Sequence, residues 1–142
     1  MKRWTDPELV KLWWGPEHFT SPRCEIDLRE GGKYLFCMRA PENFGGWDSY
    51  STGTYTRIVP LKRLEFTQTL SDPNGNPIHP SQAGLPPDFP EEVRYEIEFR
   101  ALSADRTELT ITEYGWTNVG GQMYNFAEMG MKQSLDKFAA NL

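Results

Sequence analysis

The alternation that runs from Val93 to Arg100 limits what this chain can become. Val93, Tyr95, Ile97 and Phe99 take one parity, while Arg94, Glu96, Glu98 and Arg100 take the other. Successive strand residues point to opposite faces, so this period predicts a sheet with one face buried and one in water. Ser103-Ala104-Asp105-Arg106 reads as a turn, after which Leu109 and Ile111 continue the apolar parity with Thr110 and Thr112 outward. An antiparallel pair over roughly 92–102 and 107–115 follows. The same reading gives strands near 23–29 and 33–40. A further pair lies near 50–59 and 62–70, hinged at Pro60, with Leu64, Phe66, Gln68 and Leu70 on one parity. Six such strands with no helices between them favour an antiparallel meander over a parallel α/β sheet.

The first hairpin can be checked in detail. With Glu30-Gly31-Gly32 as a three-residue loop, Cys24 faces Met38, Ile26 faces Phe36 and Leu28 faces Tyr34, one continuous apolar face. The expected inward set is Cys24, Ile26, Leu28, Tyr34, Phe36, Met38, Tyr95, Ile97, Phe99, Leu109 and Ile111. Cys37 has the opposite parity to Cys24, which argues against a disulfide between these two cysteines.

Two further segments complete the chain. Ser71 to Pro90 holds Pro73, Pro77, Pro80, Pro86, Pro87 and Pro90, which no central strand accommodates. It is either a proline-stiffened surface connection or a lid anchored by Ile78, Leu85 and Phe89. From about 121 to 141 the pattern is helical. Met123, Ala127, Gly130 and Ser134 centre its inward stripe, and Phe126, Met131, Leu135 and Phe138 flank it. Glycine inside a helix costs roughly 1 kcal/mol against alanine. Gly130 therefore marks either a close approach of the sheet or space left for something else.

At the start of the chain, Thr5 or Asp6 can cap a short helix over about 7–13, and Pro7 suits its first position. Leu9, Leu12 and Trp13 share a face, and Gly15-Pro16 ends the run. This segment, Thr5-Asp6-Pro7-Glu8 through Trp13-Trp14-Gly15-Pro16-Glu17-His18-Phe19, precedes the Cys24-Glu25-Ile26-Asp27-Leu28-Arg29-Glu30-Gly31-Gly32-Lys33-Tyr34 hairpin. Together with Gln133-Ser134-Leu135-Asp136-Lys137-Phe138-Ala139-Ala140, it resembles the bacterial proteins related to the Hsp90 ATPase activator (AHSA1-like), a branch of the START/Bet v 1-like (SRPBCC) superfamily. The resemblance runs from Trp4 to the C-terminus. It implies an α+β helix-grip fold, an antiparallel sheet wrapped around a long C-terminal helix with a cavity between, over a single domain 1–142. It implies no single reaction, because fold does not fix function. Relatives carry a first strand and most of a helix ahead of the segment matching Trp4, beside the strand matching 107–115. That edge is therefore expected to be open, and the expected assembly is a homodimer paired along it. Cover by Met1-Lys2-Arg3 or by the proline-rich loop is the alternative.

Composition bounds the function. The chain has 142 residues and a net charge of -5, with no basic run, which argues against a nucleic-acid surface. No apolar stretch approaches the ~20 residues of a membrane span and no signal-type segment opens the chain, so the expected location is cytoplasmic. Aromatic residues make up 13% while mean hydropathy is only -0.63, which suits a polar exterior around an aromatic interior. GxSxG, HExxH and CxxC motifs are missing, and His18 and His79 have no spaced partner. No metal, cofactor or catalytic residue is expected on these grounds.

Strand parity and the small-residue centre of the helix define a candidate ligand cavity. Its expected residues are Trp13, Tyr34, Phe36, Met38, Tyr95, Phe99, Glu113, Met123, Ala127, Gly130 and Met131. Glu113 continues the inward parity of Ile111, and burial would raise its pKa. Buried Tyr34 and Tyr95 need hydroxyl partners, in the backbone or in a ligand. The expected function is non-catalytic binding of a small apolar or amphipathic molecule. The alternatives are a cyclase- or hydrolase-type enzyme that uses a cavity carboxylate or tyrosine, and an Hsp90-type co-chaperone module suggested by the family's name alone.

Overall fold

The computed structural model describes residues 1–87, 89–116 and 121–140. The strands are β1 (Cys24–Ile26), β2 (Lys33–Arg39), β3 (Asp48–Val59), β4 (Arg63–Ser71), β5 (Val93–Ser103) and β6 (Arg106–Tyr114). They form one antiparallel meander in the order β1-β2-β3-β4-β5-β6. Two one-turn helices, α1 (Lys2–Thr5) and α2 (Pro7–Val10), open the chain, and α3 (Gln122–Ala140) closes it. The expected end of the last helix, Asn141, lies outside the described residues. No described helix is long and apolar enough to cross a membrane.

The expected inner face forms, with one exception. Cys24, Tyr34, Phe36, Tyr55, Leu64, Phe66, Val93, Tyr95 and Ile97 are buried in one core with Trp4, Val10, Trp13 and Trp14. Ile26, Met38, Phe99, Leu109 and Ile111 pack against it. Outside, Arg63 pairs with Glu65 at 2.7 Å, with Glu96 at 3.0 Å and also with Glu98, and Arg94 pairs with Glu96 at 2.6 Å. Cys24 and Cys37 are free thiols, on opposite faces of the sheet as their parity required.

The exception is Leu28. Cys24 pairs with Phe36 and Ile26 with Tyr34, a shift of two residues from the expected register. A tertiary contact sets this shift. The loop after Ile26 donates from Gly31 N–H to Tyr55 O at 2.8 Å and accepts from Tyr55 N–H at Gly32 O at 2.9 Å. It is therefore stitched to β3 and takes up more residues than a minimal hairpin. A Cβ on Gly32 would stand 2.1 Å from Asp27 O, so the loop needs glycine there. An even shift preserves parity, and only Leu28, now beyond the strand, becomes exposed.

The N-terminal helix is also shorter than expected. Asp6 caps α2, its carboxylate accepting from Glu8 N–H at 3.0 Å, and Pro7 occupies the first position. After Val10 three-residue bonds appear, Leu12 N–H on Leu9 O and Trp13 N–H on Val10 O at 3.2 Å each, and the regular helix gives way to a turn closed by Trp14 N–H on Val10 O at 3.0 Å. Val10 and Trp13 are buried, whereas Leu12, expected on the same face, is half exposed. The connection 71–90 contains a helical turn, Pro80–Ala83, capped by His79 through Ser81 N–H at 3.2 Å. His79 also meets Glu91 at 3.0 Å, so its ring is absorbed in holding the loop.

The inner face of β3 carries Ser49, Ser51 and Gly53 ahead of Tyr55, opposite Met38, Phe36 and Tyr34 of β2. A Cβ at Gly53 would lie 1.7 Å from Thr67 O and 2.8 Å from the Tyr34 hydroxyl. Its absence lets Tyr34 reach across β3 and donate to Thr67 O at 2.6 Å. Tyr34→Phe should cost about 1–3 kcal/mol in urea unfolding, because it leaves that carbonyl without a partner. Gly53→Ala should cost more, at least about 3 kcal/mol, because it forces β3 and β4 apart. A Gly53→Ala protein as stable as wild type would show that this crossing does not hold the two strands.

Candidate functional site

A cavity of about 250 Å³ lies between α3 and the inner face of the sheet. Its sheet wall is Met38, Ser49, Ser51, Gln68, Leu70, Val93, Tyr95 and Glu113. The helix wall is Phe126, Ala127, Gly130, Met131 and Ser134. Trp14, Gly15 and Pro16 border it from the N-terminal segment, and Phe89, Pro90 and Trp116 from the loops. The space follows from side-chain size. On β3 the inward positions 49 and 51 are serines, and on α3 the facing positions 127, 130 and 134 are alanine, glycine and serine. Larger residues at these places would bring the two walls into contact.

Of the expected cavity residues, Met38, Tyr95, Glu113, Ala127, Gly130 and Met131 lie on this lining. Trp13, Tyr34, Phe36, Phe99 and Met123 do not. Trp13 is 1% exposed and packs between Trp4, at 4.7 Å, and Phe138, at 5.1 Å, inside the core. Tyr34 and Phe36 meet at 4.5 Å with tilted rings in the core, and the Tyr34 hydroxyl is committed to Thr67. Phe99 shares the inner face but lies toward the far end of the sheet, beside Met1 and Phe138. Gly130 marks space, since it lines the cavity, and the close neighbour there is not the sheet but the N-terminal segment, where a Cβ would meet Pro16 Cγ at 3.3 Å. Of the proposed loop anchors, Phe89 reaches the cavity and packs edge-on against Trp116 at 5.6 Å, whereas Ile78 and Leu85 stand away from it.

Trp14 and Trp116 are the lining residues that sequence reasoning missed most clearly. Trp14 follows the fully buried Trp13, and Trp116 lies beyond the last strand, where alternation gives no signal. Ser49 and Ser51 were missed because inward serines break the apolar period.

Glu113 gives the cavity its charge. Tyr95 is its cross-strand partner, and the Glu113 carboxylate lies beside the Tyr95 hydroxyl and the Trp116 indole. Burial raises the Glu113 pKa above its ordinary 4.5, and these two neutral donors oppose the rise by favouring the charged form. Burial and the neighbouring carboxylate push the Tyr95 hydroxyl well above its ordinary 10.0. Among the described residues no group of three His, Cys, Asp or Glu side chains could hold a metal ion.

A six-stranded antiparallel meander set against one long C-terminal helix, with a cavity between, is the helix-grip class of α+β protein. The chain belongs to the family described as Activator of Hsp90 ATPase homolog 1-like protein, whose pattern matches residues 2–142. Solved structures agree. A Chromobacterium violaceum protein superposes with a TM-score of 0.72 at 25% identity, over 98% of this chain and 83% of its own. A Nitrosomonas europaea protein gives 0.71 at 25% identity, over 99% and 82%. The AHSA1 protein of Silicibacter pomeroyi gives 0.70 at 20% identity, over 96% and 82%. No curated protein matches the chain.

The raised Glu113 pKa has a measurable sign. Between 4.5 and the raised value the folded state binds more protons than the unfolded state, so stability falls as pH rises through that window. Glu113→Gln keeps the size of the side chain and has no charge to desolvate. Its melting temperature should exceed that of wild type at pH 7, and the gain should disappear below pH 4. A variant less stable than wild type at pH 7 would show that the donors outweigh burial.

Proposed function

We propose that the protein binds a small apolar or amphipathic molecule in the cavity between α3 and the sheet, without transforming it. The observation that carries this reading is the cavity itself, kept open by small side chains on both walls and lined mainly by apolar and aromatic groups. Its volume of about 250 Å³ bounds the ligand. A 150 Å³ apolar cavity holds benzene, so roughly ten non-hydrogen atoms is the matching size. Membership of a helix-grip family supports the reading at the level of fold.

Filling the space from the β3 side is the direct test. Ser51 is buried on the cavity wall, so Ser51→Leu places apolar volume where a ligand ring would lie. Gly130→Leu is a poorer choice, because its side chain also meets Pro16. Calorimetric titration with 3-phenylpropan-1-ol should show binding to wild type and a loss of at least about tenfold in Ser51→Leu. The variant should melt no lower than wild type, as expected when a cavity is filled. Equal binding by both proteins would place the site elsewhere.

A further inference from the structure

We propose that the ligand is a small amphipathic amine, whose ammonium group pairs with the Glu113 carboxylate while its apolar body lies against Met38, Leu70 and Met131. The proposal deepens the cavity-binding reading and rests on it. Glu113 is the one charged side chain among the described residues lining the cavity, and no lysine, arginine or histidine joins it there. A lone carboxylate on a largely apolar wall selects by charge. It repels a carboxylate ligand, accepts a neutral one and attracts a cation, more strongly than it would in water.

The partners of Glu113 point the same way. Other strand carboxylates are matched by arginine: Glu65 and Glu96 by Arg63, Glu108 by Arg100 at 3.0 Å, and Asp48 by Arg39 at 2.8 Å. Glu113 has no ion pair among the described residues and is flanked instead by Tyr95 and Trp116. Neutral donors orient a carboxylate and leave its charge for a ligand. The rings around the cavity suit the same occupant, since Trp14, Phe89, Tyr95 and Trp116 line it and aromatic rings attract cations.

The charge on Glu113 makes recognition dependent on pH. The groups that surround it are Tyr95 on β5, Trp116 beyond β6, and Glu128 and Lys132 on α3, which border the neighbouring groove and pair with each other at 3.2 Å. Lys132 is thereby matched, and protonation of Glu113 itself ends the attraction as pH falls.

Calorimetric titration of the full chain with 3-phenylpropylamine, 3-phenylpropan-1-ol and 3-phenylpropanoate at pH 7 tests the proposal. The amine should bind at least about tenfold more tightly than the alcohol, the effect of one charge-assisted hydrogen bond. The propanoate should bind more weakly than the alcohol. In Glu113→Gln the amine should bind no more tightly than the alcohol, and in wild type its advantage should shrink between pH 7 and pH 4. Alcohol binding without an amine preference overturns the proposal and leaves the cavity reading standing, as does a preference that survives in Glu113→Gln or that is constant with pH. Binding of none of the three compounds overturns the cavity reading and the proposal with it.

Discussion

The placement of α3 depends on a wedge of aromatic side chains at the start of the chain. Trp13 is enclosed by Trp4, Trp14 and Phe138, with its indole N–H donated to Arg3 O at 2.9 Å, and Trp14 packs on Phe36 at 4.9 Å. The wedge fills one end of the space between helix and sheet. Lys137 then ties α3 to the same segment, donating from Nζ to Pro16 O at 3.1 Å and Phe19 O at 3.0 Å, while Gln133 accepts from Glu17 N–H at 3.1 Å. Burial lowers the Lys137 pKa, the mark of a charge partly withdrawn from water to make this attachment. Along most of its length the backbone of α3 stays clear of the strands. The cavity is the remainder of that gap, bordered beyond the wedge by Phe89, Pro90 and Trp116.

Held at this distance, the two walls could still have met through their side chains. Serine at 49 and 51 on one side, and alanine, glycine and serine at 127, 130 and 134 on the other, keep them apart. The crossing of Tyr34 over Gly53 fixes that part of β2 against β4, so the sheet wall behind the cavity is held firmly. The site is therefore built on strands and a helix, which hold a polar group such as Glu113 in place better than loops would.

Much of this was legible in the sequence because alternation reports which face of a strand is buried, and burial is what makes a register costly to break. Tyr95, Ile97 and Glu113 were placed inward by that signal alone. What escaped depends on tertiary contacts. The β1–β2 register follows from the loop's hydrogen bonds to Tyr55, far along the chain, which no local pattern contains. Parity also says that a side chain points inward but not whether it is core or cavity wall. Phe36 and Phe99 share a face with Met38 and Tyr95, yet one is buried in the core and the other lies at the far end of the sheet. Among the described strands β6 pairs only with β5, the open edge expected for 107–115, and Met1, Lys2 and Arg3 share a pocket with Phe99, Thr107 and Leu109 near its start.

The central claim is that the space between Ser51 and Ala127 is where a ligand sits. Intermolecular nuclear Overhauser effects from the ring protons of 3-phenylpropan-1-ol to the protein's methyl groups measure this directly. The account predicts contacts to Met38, Ala127 and Met131, whose side chains face the cavity from both walls. Contacts confined to Leu109, Ile111 and Leu135, in the groove between β6 and α3, would contradict it.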